Sequence, residues 1–196
     1  MINDLDKTLE TLLKQELKHL ENLVISFETP AAEFNPGKPA LDLFLYDIRE
    51  NRDLRSNEWQ VERSAGMVTK LAPPVRVDCS YMITAWAGSD DKAILEEHKL
   101  LGQVMKALLR YPNLPAELLQ GELAQGGSEA QDLPLPTTAL LPGRLQSLAE
   151  FWQAIGNKPK AALNYTVTIC VQPQTPIQLG PPVTEVLIHF GSPSQE

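Results

Sequence analysis

The sequence predicts an α+β domain: a mixed, mainly antiparallel sheet of four to six strands, with two long helices and one short helix mostly on one face. Three observations carry this expectation. Leu5, Leu9, Leu12, Leu13, Leu17 and Leu20 form one apolar stripe at helical spacing near the start of the chain. Val75 to Trp86 alternates strictly, with Val75, Val77, Cys79, Tyr81, Ile83 and Ala85 on one side. Leu145, Leu148, Phe151, Trp152 and Ile155 recur as a short helix that should stop at Gly156, before Pro159, and feed a strand through Leu163, Tyr165, Val167, Ile169 and Val171.

The remaining elements follow in order. The first helix should run from Asn3 to Leu20, with Asn3 as cap and Asp4 and Asp6 at its positive end. Val24 to Glu28 reads as a short strand and Thr29 to Pro39 as a loop broken by proline and glycine. Leu41 to Arg49 is a strand with two apolar faces: Leu41, Leu43 and Leu45 on one, Phe44, Tyr46 and Ile48 on the other. The second face points either into a covered core or outwards to a partner. The charged stretch Arg49 to Ser56 is read as a hairpin loop to a strand at Glu58 to Arg63, and Met67 to Leu71 pairs again. That loop is either a solvated turn or a source of salt links to a neighbouring subunit. Ser89 should cap a helix with a stripe through Ile94, His98, Leu101, Met105 and Leu108, ending near Tyr111. Gln120 to Gly143 holds no apolar period long enough for an element, which predicts a loop ordered by a partner or a passive connector. Beyond Pro173 one strand is expected, at Thr184 to Phe190.

Composition narrows the function. The chain has 196 residues and a net charge of -8, which repels phosphate backbones, and no cluster of lysine and arginine offsets it. Nucleic acid is therefore not an expected partner. No apolar run reaches the ~20 residues of a membrane span, and the first residues lack a basic head with an apolar core, so direct membrane insertion is not expected and the cytoplasm is the expected site of synthesis. Cys79 and Cys170 fall in strand-like runs and read as small buried hydrophobes.

Chemistry-bearing patterns are scarce. His19, His98 and His189 lie far apart in sequence, His98 reading as a satisfied histidine at the core margin. No spacing suits a zinc site, and there is no nucleophile elbow, phosphate loop or dinucleotide fingerprint. Asp90 with Asp91 and Glu96 with Glu97 are neighbours on a helix, where side chains diverge by ~100°. Gly126, Gly127 and Ser128 sit among acidic and polar residues that would repel phosphate. No catalytic residue, cofactor or metal is expected.

Four segments taken together resemble a known family: INDLDKTLETLLKQEL at Ile2 to Leu17, LDLFLYDIREN from Leu41, PPVRVDCSYMITAWAG from Pro73, and LAEFWQAIGNKPKAALNYTVTICVQP at Leu148 to Pro173. Their order and spacing are similar to the N-terminal domain family of cap, or tail-terminator, proteins of phage-tail-like contractile injection systems. The resemblance covers residues 1–173 and leaves 174–196 as an extension. It implies a structural protein that forms a ring with copies of itself, six-fold, closing the distal end of tube and sheath in an assembled contractile particle. Tube and sheath proteins are the implied partners. The partner interface is expected at Phe44, Tyr46, Ile48, Arg49, Arg52, Arg55, Leu133, Leu135, Leu140 and Leu141. A soluble adaptor with a single protein partner is the competing reading, and a small-molecule enzyme stands behind it.

Overall fold

A computed structural model of the chain describes residues 1–30, 39–64, 67–88, 93–124, 133–140, 147–156 and 158–180. The leucine stripe at the start folds as α1 (Ile2–Glu16), in which Leu5, Leu9, Leu12 and Leu13 are buried, as is Leu17 just beyond it. Each buried leucine contributes about 1.5–3 kcal/mol. Asn3 does not cap this helix. It starts one residue earlier, with Met1 in the cap position and its ammonium 2.9 Å from Asp4. It also ends before Leu20, and Asn22 takes a left-handed turn at φ 65 into the next strand, a conformation that asparagine tolerates.

The further elements are β1 (Val24–Ser26), β2 (Ala40–Glu50), β3 (Gln60–Ser64), β4 (Met67–Leu71), β5 (Val75–Trp86), α2 (Ala93–Leu108), β6 (Thr137–Ala139), α3 (Leu148–Ala154), β7 (Ala162–Val171) and β8 (Ile177–Gly180). They divide into two units: Met1–Arg55 with Val75–Val171, and Ser56–Pro74 with Gln172–Glu196.

The first unit is a five-stranded mixed sheet in the order β1-β2-β5-β7-β6. The β1–β2 pair is parallel and the others are antiparallel. Opposed residues in register share a face. Leu43 with Ile83, Cys79 with Val167 and Tyr81 with Tyr165 thus build one apolar side, which joins the α1 leucines and Leu100, Leu101, Val104 and Leu108 of α2 in a single core. The stripe of α2 is rotated from the expected one: Ile94 and His98 are exposed, and Leu100, Leu101, Val104, Ala107 and Leu108 face inwards. That set also satisfies helical spacing, and with leucines scattered around the helix the phase was ambiguous. The helix ends at Leu108 instead of Tyr111. Its expected cap, Ser89, lies outside the described residues.

The opposite side of the sheet carries α3. Ser147 accepts a hydrogen bond from the Glu150 amide at its start, Gly156 ends it with φ 72, Trp152 is buried, and Phe151 stacks 5.9 Å from Phe44 of β2. Lys160 lies 4.1 Å over the Trp86 ring and 2.7 Å from Glu97, which fastens the approach to β7 beside β5 and α2. The stretch expected to be without elements contains β6, which extends the sheet beside β7, and a 3₁₀ turn at Gly121–Leu123. Three residues are too few for periodicity to show.

The second unit is a three-stranded antiparallel sheet in the order β3-β4-β8. Its strand β8 precedes the one expected at Thr184 to Phe190, which lies outside the described residues. Arg49 to Ser56 does not join two paired strands, because β2 pairs with β1 and β5 while β3 pairs with β4.

Candidate assembly surface

The described interface candidates all fall in the first unit, and the structure sorts them. Along β2 the register runs Phe44 opposite Met82 and Leu45 opposite Tyr81, then skips Tyr46, so that Asp47 meets Ser80 and Ile48 meets Cys79. This bulge turns Ile48 to the helix-bearing side, where it is half exposed at the strand's end. Phe44, Tyr46 and Ile48 therefore do not share one outward face. Phe44 is half-buried against Phe151, and the Tyr46 hydroxyl reaches Asn164 Oδ1 at 3.3 Å.

At the end of β2, Arg49 forks onto Asp47 with two bonds of 2.6 Å, and in the loop beyond it Arg55 lies 3.4 Å from Glu50. Arg52 is exposed, with no ion pair among the described residues. What orders this loop is Asn51, which the sequence reading passed over. Its amide donates to the Arg76 carbonyl at 2.8 Å, its Nδ2 donates to Asp78 Oδ1 at 3.0 Å, and its Oδ1 accepts from the Leu54 amide at 3.0 Å. The last is an Asx-type turn, the one local signal that could have revealed it. Asp78 also accepts the Thr168 hydroxyl at 2.7 Å, so the loop hangs on a buried polar link between β5 and β7.

The leucines around β6 separate in the same way. Arg76 donates to the Pro134 carbonyl at 2.8 Å, the Leu114 amide donates to Leu135 O at 2.9 Å, and the Thr168 amide donates to Pro136 O at 2.9 Å. Held at so many points, Leu135 is a core residue at 7% exposure, not the exposed one expected, whereas Leu133 and Leu140 point to solvent. Leu141 lies outside the described residues.

Among the described residues no group of three histidine, cysteine or carboxylate side chains could hold a metal. Burial pushes the Cys79 thiol up to about 11, which keeps it protonated and unreactive. Cys170 is half-buried, with Arg76 Nη1 2.8 Å from its sulfur. A cleft of about 280 Å³ near His19, Glu21, Glu96 and Lys99 sits at the lower limit of the ~300–1,000 Å³ typical of small-molecule sites. One carboxyl is anomalous: Asp42 is fully buried between Ser26 and Thr84 in register, with no hydrogen-bond partner for either oxygen. Burial pushes it up to about 7, and the Ser26 hydroxyl and Glu28 amide, near but poorly placed for regular bonds, offset this only in part.

Among the described residues, no helix is long and apolar enough to cross a membrane. Comparison with known proteins supplies what the geometry leaves open. The chain is similar to the sheath/tube terminator of PVC, an extracellular contractile injection system, solved in the extended state, with 28% identity and a TM-score of 0.74 over 99% of this chain and 64% of that one. It is also similar to the anti-feeding prophage cap, a tube-terminating cap, with 26% identity and a TM-score of 0.68 over 95% of this chain and 60% of that one. The chain thus spans less than two thirds of the length of either structure. No curated protein matches it. The model of the family described as the Pvc16 N-terminal domain matches residues 4–185, nearly the whole sequence. The chain belongs to the Pvc16 N-terminal domain family.

Proposed function

We propose that this chain is a structural cap that terminates the tube and sheath of a contractile injection system, acting by shape and without catalysis. The observation that carries the reading is the match along 99% of the chain to a sheath/tube terminator, at 28% identity. The cap works as a closed ring, six-fold as the family resemblance implies, at the distal end of the particle. One side of the ring fits the last layer of tube and sheath, and the other offers no surface to a further layer. Closure requires a heterologous contact whose rotation returns on itself, because a contact that does not close makes filaments. A stable contact of this kind buries ~1,200–2,000 Å².

Ile48, Arg52, Leu133 and Leu140 are the candidates in the first unit that stay exposed without an ion pair among the described residues, and they contribute to this surface. Residues 1–173 supply the cap-like body and 174–196 an extension to it. The protein is made in the cytoplasm and incorporated there into the assembling particle. Electron microscopy of particles from a deletion strain tests the proposal: tubes of uncontrolled length or broken ends are expected, and intact particles of regulated length overturn it.

A further inference from the structure

The edge strand β1 closes over an unusual neighbour. It is three residues long, pairs in parallel with β2 at Val24 with Ala40, Ile25 with Leu41 and Ser26 with Asp42, and ends the large sheet on that side. Leu41 and Leu43 point into the core under the helices, so Asp42 between them points to the side that carries α3, in line with Phe44. There it is fully buried, and neither of its oxygens has a hydrogen-bond partner among the described residues. The hydroxyls on each side are engaged elsewhere: Ser26 Oγ accepts the Glu28 amide at 3.2 Å, and Thr84 Oγ1 accepts Trp86 Nε1–H at 2.9 Å. Such a site holds a carboxylic acid and not a carboxylate, because no donor among the described residues replaces the water that the charge would lose. Charged groups nearby do not change this. Glu28, just past β1, acts on Asp42 and opposes a second negative charge. On the β5 side Lys160 lies over the Trp86 ring but is bound to Glu97 at 2.7 Å, and Glu150 of α3 and Lys158 beyond it are exposed.

When the proton leaves, the charge needs water, and the routes to water differ in cost. Strand β5 is paired with β2 from Ala40 to Glu50 and is itself flanked by β7, whereas β1 holds β2 over three residues in the slightly weaker parallel arrangement. Val24 of β1 is already open to solvent. We propose that β1 is a pH-sensitive latch on the large sheet: it stays zipped to β2 while Asp42 keeps its proton and detaches locally as that proton is lost, which leaves Ala40 to Asp42 as a free strand edge. The device lies in the sheet itself and does not depend on the cap reading above. Its direction follows from the two states. Closed, Asp42 holds its proton up to about 7; open and in water, it releases it near 4. Opening therefore becomes easier as pH rises between those values, by up to about tenfold per unit, and levels off above them.

Hydrogen exchange of the whole chain, followed from about pH 5 to about pH 8 and corrected for the intrinsic rise of exchange with pH, tests this. The amides of Val24–Ser26, the first of them bonded to the Pro39 carbonyl at 3.0 Å, should lose protection by up to about tenfold per unit until about pH 7, while staying less protected than those of β5. Asp42→Asn and Asp42→Val both lack the titrating proton, one polar and one apolar. In either variant, once circular dichroism shows it folded, the protection of β1 should hardly vary with pH. Equal protection in β1 and β5 would mean that β1 opens only with the whole molecule, and a pH slope that survives the substitution would mean that another group drives it. Either result overturns the proposal, as does protection of β1 that stays flat across the range in the unaltered chain.

Discussion

The two sheets of this molecule solve the same problem differently. The five-stranded sheet covers one side with α1 and α2 and sets α3 on the other, and Trp152, Tyr81 and Tyr165 are among the large side chains buried there in full. The three-stranded sheet leaves Trp59, Val61, Met67, Ile177 and Leu179 open to water. A sheet of three short strands encloses too little apolar surface to hold itself firmly, and a second body is what such a face lacks. The first unit hides its core side chains, whereas the second leaves several apolar ones exposed.

Mutation should separate the two units. The largest effect is expected in the first core: Leu9→Ala removes a fully buried side chain and should cost about 2–5 kcal/mol in denaturant unfolding, while Val61→Ala, at a half-exposed position of the second unit, should change stability by about 0.5 kcal/mol or less. Equal losses at the two positions would erase the contrast.

The next effect depends on pH. Folded Asp42 keeps its proton up to about pH 7, whereas the unfolded chain releases it near 4. The folded state therefore loses stability as pH rises between those values, and the loss levels off above about 7. Asp42→Asn should remove that slope and stabilise the protein by an amount that grows from pH 4 to pH 8, towards about 4 kcal/mol. Thermal melts of both proteins across this range would show it, and parallel profiles would contradict it. The smallest effect is at the start of α3, where Ser147→Ala should cost about 1 kcal/mol by stripping the Glu150 amide of its acceptor, read as a lowered melting temperature.

Long periodic segments made much of this fold legible. Strand β5 lies where its alternation put it, and the leucine stripe of α1, the turn at Gly156 and the alternation of β7 all appear as read. Short or interrupted elements were not legible. The edge strand β6 has three residues, and the phase of α2 could be taken two ways because Ile94 and Leu95 are as apolar as the residues it buries. Among the interface candidates, a one-residue bulge at Tyr46 was enough to break the shared face of Phe44 and Ile48, since side chains in a strand alternate with period two. Leu135 and Leu133 are equivalent in sequence, and only the hydrogen bonds at Leu114 and Arg76 separate core from surface. The small sheet needed β8 to bring Ile177 beside Lys70, a pairing across more than half of the chain.

The tie made by Asn51 has a mechanical consequence. A tug on the segment after β2 reaches the middle of the large sheet at once, through the bonds to Arg76 and Asp78. From there it runs along the ladders that join β5 to β2 and β7, where many bonds strain together instead of opening one by one. A body wired in this manner yields late under load.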